Sequence, residues 1–194
     1  MKKNIFMFDV ESDGLYGKAF CFSAVVADKK GNLIDSLTLK TDIEISVDWV
    51  KENVLPSLKG IKTVESLEVL RNKFYNFYLK YKDNCDVYSD CNYPVETNFL
   101  SDVAKDNLTE RQFNMPYPLM DVCNFVDSSI DREKYYTKYN ASYILHDIAS
   151  RKPKQHNPYY DCLCSIFVMK HKNKIKIKSF LKNIKKKFTW RCNK

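Results

Sequence analysis

The chain has 194 residues, of which 44% are hydrophobic and 14% aromatic, and its formal net charge is +8. This composition excludes a disordered chain, and the length suits one domain with a substantial core. No apolar stretch approaches the roughly 20 residues of a membrane span, so no integral membrane segment is expected. Seven cysteines without a CxxC pair argue against a zinc site and against a disulfide framework, and we expect reduced thiols in the cytoplasm.

The first predicted strand, "NIFMFDV", is apolar on both faces, which is typical of a central strand covered on both sides. Its period of two places Ile5, Met7, Asp9 and Glu11 on one face. The segments "AFCFSAVVA" and "LIDSLTLK" flank the turn signal "DKKGN" and predict two more strands. The three strands are expected to form an antiparallel meander.

The middle of the chain alternates predicted helices and strands. "SVDWVKENVLPSL" predicts a short helix capped by Ser46, and "TVESLEVLRNKFYNFYLKYKD" predicts a longer one capped by Thr63 or Ser66. "CDVYSD" predicts a strand, "YPVETNFLSDVAK" a helix and "PYPLMDVCNFV" a fifth strand. Residues 131–155 are polar and tyrosine-rich, and no structure is assigned to them. "HNPYYDCLCSIFVMK" begins a helix with Asn157 as its N-cap. The order predicts an α/β domain with a mixed sheet.

The positive charge lies mostly at the C-terminal end. Residues 170–194 hold eleven Lys or Arg and no acid, which leaves a net charge of −3 on residues 1–169. We therefore divide the chain into a domain over residues 1–170 and a basic tail over 171–194. "KSFLKNIKKKF" in the tail predicts a basic amphipathic helix. It could contact phosphates or an anionic membrane, or remain a solvated tail.

Acidic side chains recur at three separated places. Asp9 and Glu11 end the first strand as D-x-E, while Asp90 ends a later strand and Glu96 lies in the first turn of the next helix, where the helix dipole favours an anion. The third place is the H-x4-D pair of His156, on a loop, and Asp161, one turn into the last helix. Each motif alone is explained by solvated carboxylates or helix-end preferences.

Together, these motifs resemble the DEDDh branch of the 3′–5′ exonucleases. This branch includes proofreading exonuclease subunits, RNase T, oligoribonuclease and small stand-alone exoribonucleases of bacteria and phages. "FDVESDGL" resembles the family's F-D-x-E-[ST]-x-G-L, and "HNPYYDCLCS" resembles its H-[NR]-x-x-x-D. The middle motif, N-x-x-F-D-x-x-F-L, fits the frame from Asn92 to Leu100 but has Glu96 at the place of the aspartate. Asp90 is the other candidate for the third acid.

The resemblance implies an RNase H-like fold, a central mixed sheet of about five strands flanked by helices. It implies a metal-dependent 3′–5′ exonuclease that releases nucleoside 5′-monophosphates from single-stranded ends. Small stand-alone members are often exoribonucleases, so RNA is favoured over DNA, although no motif identifies the group that reads the 2′-hydroxyl. Homodimers occur in several relatives and are possible here. The alternative is a nucleic-acid-binding module of the same fold whose catalytic site has decayed.

The resemblance also implies the roles of individual residues. Asp9, Glu11, Asp161 and either Glu96 or Asp90 would hold two divalent ions, Mg²⁺ or Mn²⁺, and His156 would be the general base. In the turn after the first strand, Ser12 and Gly14 would lie against the terminal 3′-hydroxyl. Leu15 would either wedge against the last bases or pack in the core. These substrate contacts complete the predicted site.

Overall fold

A computed structural model of the chain describes residues 3–124 and 156–170. The predicted tail and the unassigned segment 131–155 lie outside the described residues. Within them, no helix is both long and apolar enough to cross a bilayer. All six cysteines in the described part of the chain are free thiols, as the sequence predicts.

The centre of the fold is a six-stranded mixed sheet with the order β4-β3-β2-β1-β5-β6. The strands are β1 (Asn4–Ser12), β2 (Ala19–Ala27), β3 (Leu33–Thr41), β4 (Thr63–Val64), β5 (Cys85–Ser89) and β6 (Met120–Asp121). The first three form the predicted antiparallel meander, and β5 lies parallel to β1. The α/β class with a central mixed sheet is confirmed. The strand that the sequence did not predict is β4, because its two residues are too few to produce a periodic pattern.

Helices and irregular turns connect the strands. The helices are α1 (Asp48–Asn53), α2 (Leu67–Tyr81), α3 (Thr97–Lys105), α4 (Leu108–Arg111) and α5 (residues 158–170). A 3₁₀ turn (Leu55–Leu58) follows α1, and a π-type turn (Asn92–Glu96) precedes α3. The chain therefore alternates regular elements with short irregular turns, and the latter carry several candidate site residues.

The predicted helix starts are correct in part. Ser66 caps α2, since its hydroxyl accepts a hydrogen bond from the Val69 N–H at 3.2 Å. Ser46 does not cap α1, whose N-cap residue is Val47. The Ser46 hydroxyl donates instead to the carboxylate of Asp13, in the turn after β1. Glu96 is the N-cap residue of α3 and not a first-turn residue, because the irregular turn before it delays the helix.

Strand β1 divides the core into two layers, as its pattern predicts. Phe6, Phe8 and Val10 pack on the side of α2 and α3, where the ring of Phe74 lies 5.3 Å from that of Phe8. The opposite face of β1 packs against α5. Asp9 and Glu11 belong to this second face, at the carboxyl end of the strand, and they therefore point towards the helix that carries Asp161.

Candidate active site

Three predicted site residues meet between β1 and α5. Carboxylate oxygens of Asp9, Glu11 and Asp161 all lie within 4.8 Å of one another. The pleat of β1 places the first two on one face. On α5, Asn157 acts as the predicted N-cap, because its side-chain oxygen accepts a hydrogen bond from the Tyr160 N–H at 3.3 Å. This cap fixes the start of the helix and so directs Asp161 towards the strand.

The electrostatics of this cluster favour protonation or a bound cation. Burial raises the pKa of Asp9 well above its usual range, and the charges of Asp161 and Glu11 raise it further. Burial, followed by the charges of Asp161 and Glu96, raises the pKa of Glu11 to about 9. Like charges this close cannot all ionise without a compensating positive charge. The three acids would therefore be ionised together at neutral pH only beside cations.

Both candidates for the third acid lie outside the group of three acids whose oxygens are within 4.8 Å of one another, but the charge of each raises the pKa of Asp9. Glu96 is buried, and burial with the charges of Asp90 and Asp121 raises its pKa to about 8, although backbone groups of Glu96 itself and Val10 oppose the rise. The charge of Glu96 raises the pKa of both Asp9 and Glu11, whereas the charge of Asp90 raises the pKa of Asp9. The Ser165 hydroxyl on α5 donates to the Asp90 carboxylate at 3.0 Å. Glu96 is thus the more strongly coupled of the two.

His156 lies on the loop immediately before α5, as predicted. Its backbone has a positive φ of 64°, and its ring meets that of Trp49 edge to face, with 5.1 Å between the centroids. The imidazole is not one of the groups that lie within 4.8 Å of each other in the acid cluster. The structure therefore places the histidine on the loop that leads into the Asp161 helix, against α1.

The turn after β1 presents an exposed apolar side chain. The Ser12 hydroxyl donates to the Gly14 carbonyl at 2.7 Å, and Gly14 adopts a φ of 77°, a conformation that glycine tolerates best. Leu15 is 64% exposed, so the interpretation of this residue as part of the core is wrong. The turn is compact at its base and open at its tip.

Known protein structures resemble this fold, although no protein-family model matches the sequence and no curated protein is significantly similar to it. Exonuclease I from Methylocaldum szegediense superposes with a TM-score of 0.61 over 87% of this chain and 40% of that chain, at 14% identity. A structure of exonuclease I reported with an account of its processivity gives a TM-score of 0.57 at 12% identity, over 91% and 42% of the two chains. The chain therefore shares its fold with these exonuclease I structures.

A complex of E. coli ExoI with single-stranded DNA, in its zinc-bound form, has the same fold at a TM-score of 0.53 and 11% identity. It is matched over 97% of this chain and 43% of that chain. The chain thus spans about two fifths of the length of the structures it matches. At these identities the likeness establishes the fold, which agrees with the fold class predicted from the motifs.

Two further acids hold turns in place. Asp13 accepts hydrogen bonds from the Ser46 N–H and hydroxyl, at 2.9 and 2.6 Å, and from the Val47 N–H at 3.0 Å. Asp121 accepts from the Asn92 N–H at 3.0 Å and the Cys123 N–H at 2.7 Å, and so holds the turn that leads to Glu96. Sequence reasoning missed Asp121, because an acid at the end of a two-residue strand gives no distinct signal.

Two exposed tyrosines were also missed. Tyr16 follows Leu15 in the turn after β1, and Tyr93 lies three residues before Glu96; they are 72% and 67% exposed. Their rings meet edge to face, with 6.4 Å between the centroids. They are far apart in the sequence, so no local pattern connects them. The pair places aromatic surface on two of the segments that also carry site acids.

The thiol next to Asp161 joins α5 to the sheet. Cys162 is buried, and its single S–H proton is shared between the backbone carbonyls of Met7 on β1 and Ser23 on β2, which lie 3.8 and 3.6 Å from Sγ. Burial raises the pKa of this thiol well above its usual range, and the charge of Asp9 raises it further. These contacts hold the helix against the strand that carries Asp9 and Glu11.

Proposed function

We propose that the chain is a metal-dependent 3′–5′ exonuclease that removes nucleoside 5′-monophosphates from single-stranded nucleic acid. The observation that carries the proposal is the convergence of Asp9, Glu11 and Asp161 within 4.8 Å, on a fold shared with exonuclease I. A half-buried cluster of repelling carboxylates has little structural value without a cation. Oxygen ligands of this kind suit hard divalent ions such as Mg²⁺ and Mn²⁺.

The donor set fits a pair of divalent ions. Asp9, Glu11 and Asp161 would hold them with Glu96, whose raised pKa indicates that it shares the negative field of the cluster. When bound, two such ions lower the pKa of water and stabilise the oxygens that attack and leave phosphorus. Asp90, bound by Ser165, supports the cluster from the end of β5.

His156 takes the proton of the attacking water in this proposal. Its ordinary pKa near 6.5 suits a base that works around neutral pH. A base of this kind contributes about 10²–10⁴-fold to the rate.

The substrate end would lie over the turn after β1. Ser12 and Gly14 would approach the terminal sugar, and the exposed Leu15 would contact the last bases. The exposed rings of Tyr16 and Tyr93 offer stacking surface for bases, which supports a single-stranded substrate because paired bases are not available for stacking. The basic tail, residues 171–194, would add phosphate contacts.

The deciding experiment is digestion of RNA and DNA oligonucleotides labelled at the 5′ end, with Mg²⁺, with Mn²⁺ and with EDTA. The resemblance to exoribonucleases favours RNA, whereas one structural neighbour is a complex with single-stranded DNA, so both polymers are needed. We expect a ladder that shortens from the 3′ end, disappears with EDTA and is absent in Asp9→Ala. Asp42→Ala, an exposed acid outside the cluster, is the matched control and should leave the ladder unchanged.

Binding without cleavage under every metal condition would contradict the exonuclease and support the non-catalytic nucleic-acid-binding module. Glu96 at the position of the family aspartate keeps that second function open. The burial of Glu96 and the effect of its charge on Asp9 and Glu11 argue for the enzyme, since a decayed site has no need to retain a buried acid there.

A further inference from the structure

The backbone at His156 requires support from its surroundings. A residue other than glycine with φ near 64° occupies a sparsely populated conformation, which persists only where neighbouring contacts stabilise it. Asn157, the next residue, is committed to capping α5. The helix cap therefore fixes one side of the histidine, and contacts from elsewhere must fix the other.

The 3₁₀ turn after α1 provides such contacts through Ser57. The Ser57 hydroxyl shares its proton between the His156 carbonyl at 2.5 Å and the Val54 carbonyl at 2.7 Å, and the Asn157 side-chain amide donates to the Ser57 carbonyl at 3.0 Å. Two hydrogen bonds in opposite directions thus join the turn to the histidine loop. Ser57 itself is buried, so water competes little for either bond.

Trp49 on α1 contacts the histidine side chain. The two rings meet at an interplanar angle of 83°, with 5.1 Å between the centroids, and the tryptophan remains 54% exposed. Edge-to-face geometry at this distance is an attractive arrangement of aromatic rings. This contact restricts the orientations of the imidazole.

The segment that carries Trp49 and Ser57 is fixed to the rest of the domain. Val50, Val54 and Leu58 are buried against Phe20 and Cys21 of β2.

At its other end, this segment is bound to the turn that follows the catalytic strand. Asp13 accepts hydrogen bonds from Ser46 and Val47, directly before α1. Residues 46–58 thus contact the turn after Asp9 and Glu11 at one end and the His156 loop at the other. A single rigid segment links the two halves of the site.

We propose that Trp49 and Ser57, which the segment 46–58 carries, are positioning residues that set the position of the His156 imidazole relative to the acid cluster. The inference goes beyond the proposed function and rests on it for the role of the histidine. A general base is effective only when it lies at a defined distance from the water that it deprotonates, and a misplacement of about 1 Å can cost about 10²-fold. Neither residue needs to touch substrate for this effect.

The test combines kinetics with a spectroscopic measurement on the full chain. We expect Trp49→Ala to lower kcat about tenfold and to leave KM within about twofold, because orientation and not affinity is lost. Trp49→Phe, which keeps an aromatic edge, should recover most of the rate. Ser57→Ala should lower kcat in the same manner. Glu52→Ala, an exposed change on the same helix, is the matched control and should have no effect.

The imidazole proton resonances of His156, assigned by their loss in His156→Gln, provide a readout independent of catalysis. The ring current of Trp49 shifts them, so they should move in Trp49→Ala and stay in place in Glu52→Ala. Unchanged kcat in both Trp49→Ala and Ser57→Ala, with Asp9→Ala inactive, would overturn this inference and leave the exonuclease intact. If the chain cleaves nothing, the proposed function fails, and unshifted resonances would then overturn the positioning contact as well.

Discussion

Acids from one short stretch of sequence behave in opposite ways. Asp13 accepts three hydrogen bonds from Ser46 and Val47, and these bonds, led by that from the Ser46 hydroxyl, lower its pKa. Asp9 and Glu11, only a few residues earlier, lie among other carboxylates, and burial followed by mutual repulsion raises the pKa of each. The difference shows that donors, not proximity in sequence, separate an acid that holds a turn from an acid suited to a cation.

The same contrast appears in the middle of the chain. Asp121 accepts hydrogen bonds from two backbone N–H groups and so stabilises a turn, whereas Glu96 is buried near other carboxylates whose charges raise its pKa. If the contrast is functional, neutralising acids of the cluster should abolish cleavage, and neutralising acids that fasten turns should affect mainly stability.

The largest expected effect is that of Asp161→Asn. Cleavage should fall by more than about 100-fold, the loss that even indirect partners of a metal ion can produce. The melting temperature without metal should rise, because one of three mutually repelling carboxylates has become neutral. Oligonucleotide digestion and thermal unfolding in EDTA measure the two effects. A variant that is both inactive and less stable would indicate that Asp161 has a structural role. It would contradict the distinction between acids of the cluster and acids that hold turns.

The next largest effect should separate Glu96 from Asp90. Glu96→Gln should lose at least about tenfold in activity and in Mn²⁺ affinity, because its charge acts on both acids of β1. Asp90→Asn should lose less, since the amide can still accept the hydrogen bond from Ser165. Isothermal titration calorimetry with Mn²⁺ compares the metal affinities of the two variants. The reverse ranking would make Asp90 the third ligand.

A smaller effect concerns the dependence of stability on pH. A carboxyl whose pKa rises on folding binds more protons in the folded state, so it lowers stability as pH rises. For Glu11, the decline should extend from its ordinary value of 4.5 towards about 9 in the metal-free chain. Glu11→Gln should flatten the decline, and added Mg²⁺ or Mn²⁺ should oppose it. Urea unfolding at acidic and alkaline pH, with and without metal, measures the slope.

The smallest effect on metal binding is expected from Asp13→Ala. The change removes three hydrogen bonds between the turn after β1 and the start of α1, so the melting temperature should fall. Affinity for Mn²⁺ should stay close to that of the unmodified chain, because Asp13 lies outside the cluster of three acids. A large loss of Mn²⁺ affinity would show that this acid is not merely structural.

Much of the site could be predicted because regular elements carry it. A period of two placed Asp9 and Glu11 on one face of β1, and the N-cap Asn157 set the turn of α5 on which Asp161 lies. The meander and the existence of strand β5 followed from apolar runs and turn signals. Period and capping are local properties, and they survive in the folded chain.

The remainder depends on contacts between distant segments. Serine is a residue type that often caps helices, but the Ser46 hydroxyl donates a hydrogen bond to Asp13, 33 residues away. The tertiary contact therefore overrides the local preference. Glu96 is positioned by an irregular turn that Asp121 fastens, and no periodic pattern describes such a turn. Strand β4 has only two residues and leaves no trace in the pattern.

The buried thiol of Cys162 makes the opening of the site measurable. The Cys162 thiol is buried between α5 and the sheet, it is hydrogen-bonded to backbone carbonyls of two strands, and its pKa is raised. A thiol reagent can therefore react with it only after α5 has separated from the sheet. That separation also carries Asp161 away from Asp9 and Glu11. The rate of alkylation at this cysteine therefore reports how often the acid cluster comes apart, and a bound cation that holds the cluster together should slow it.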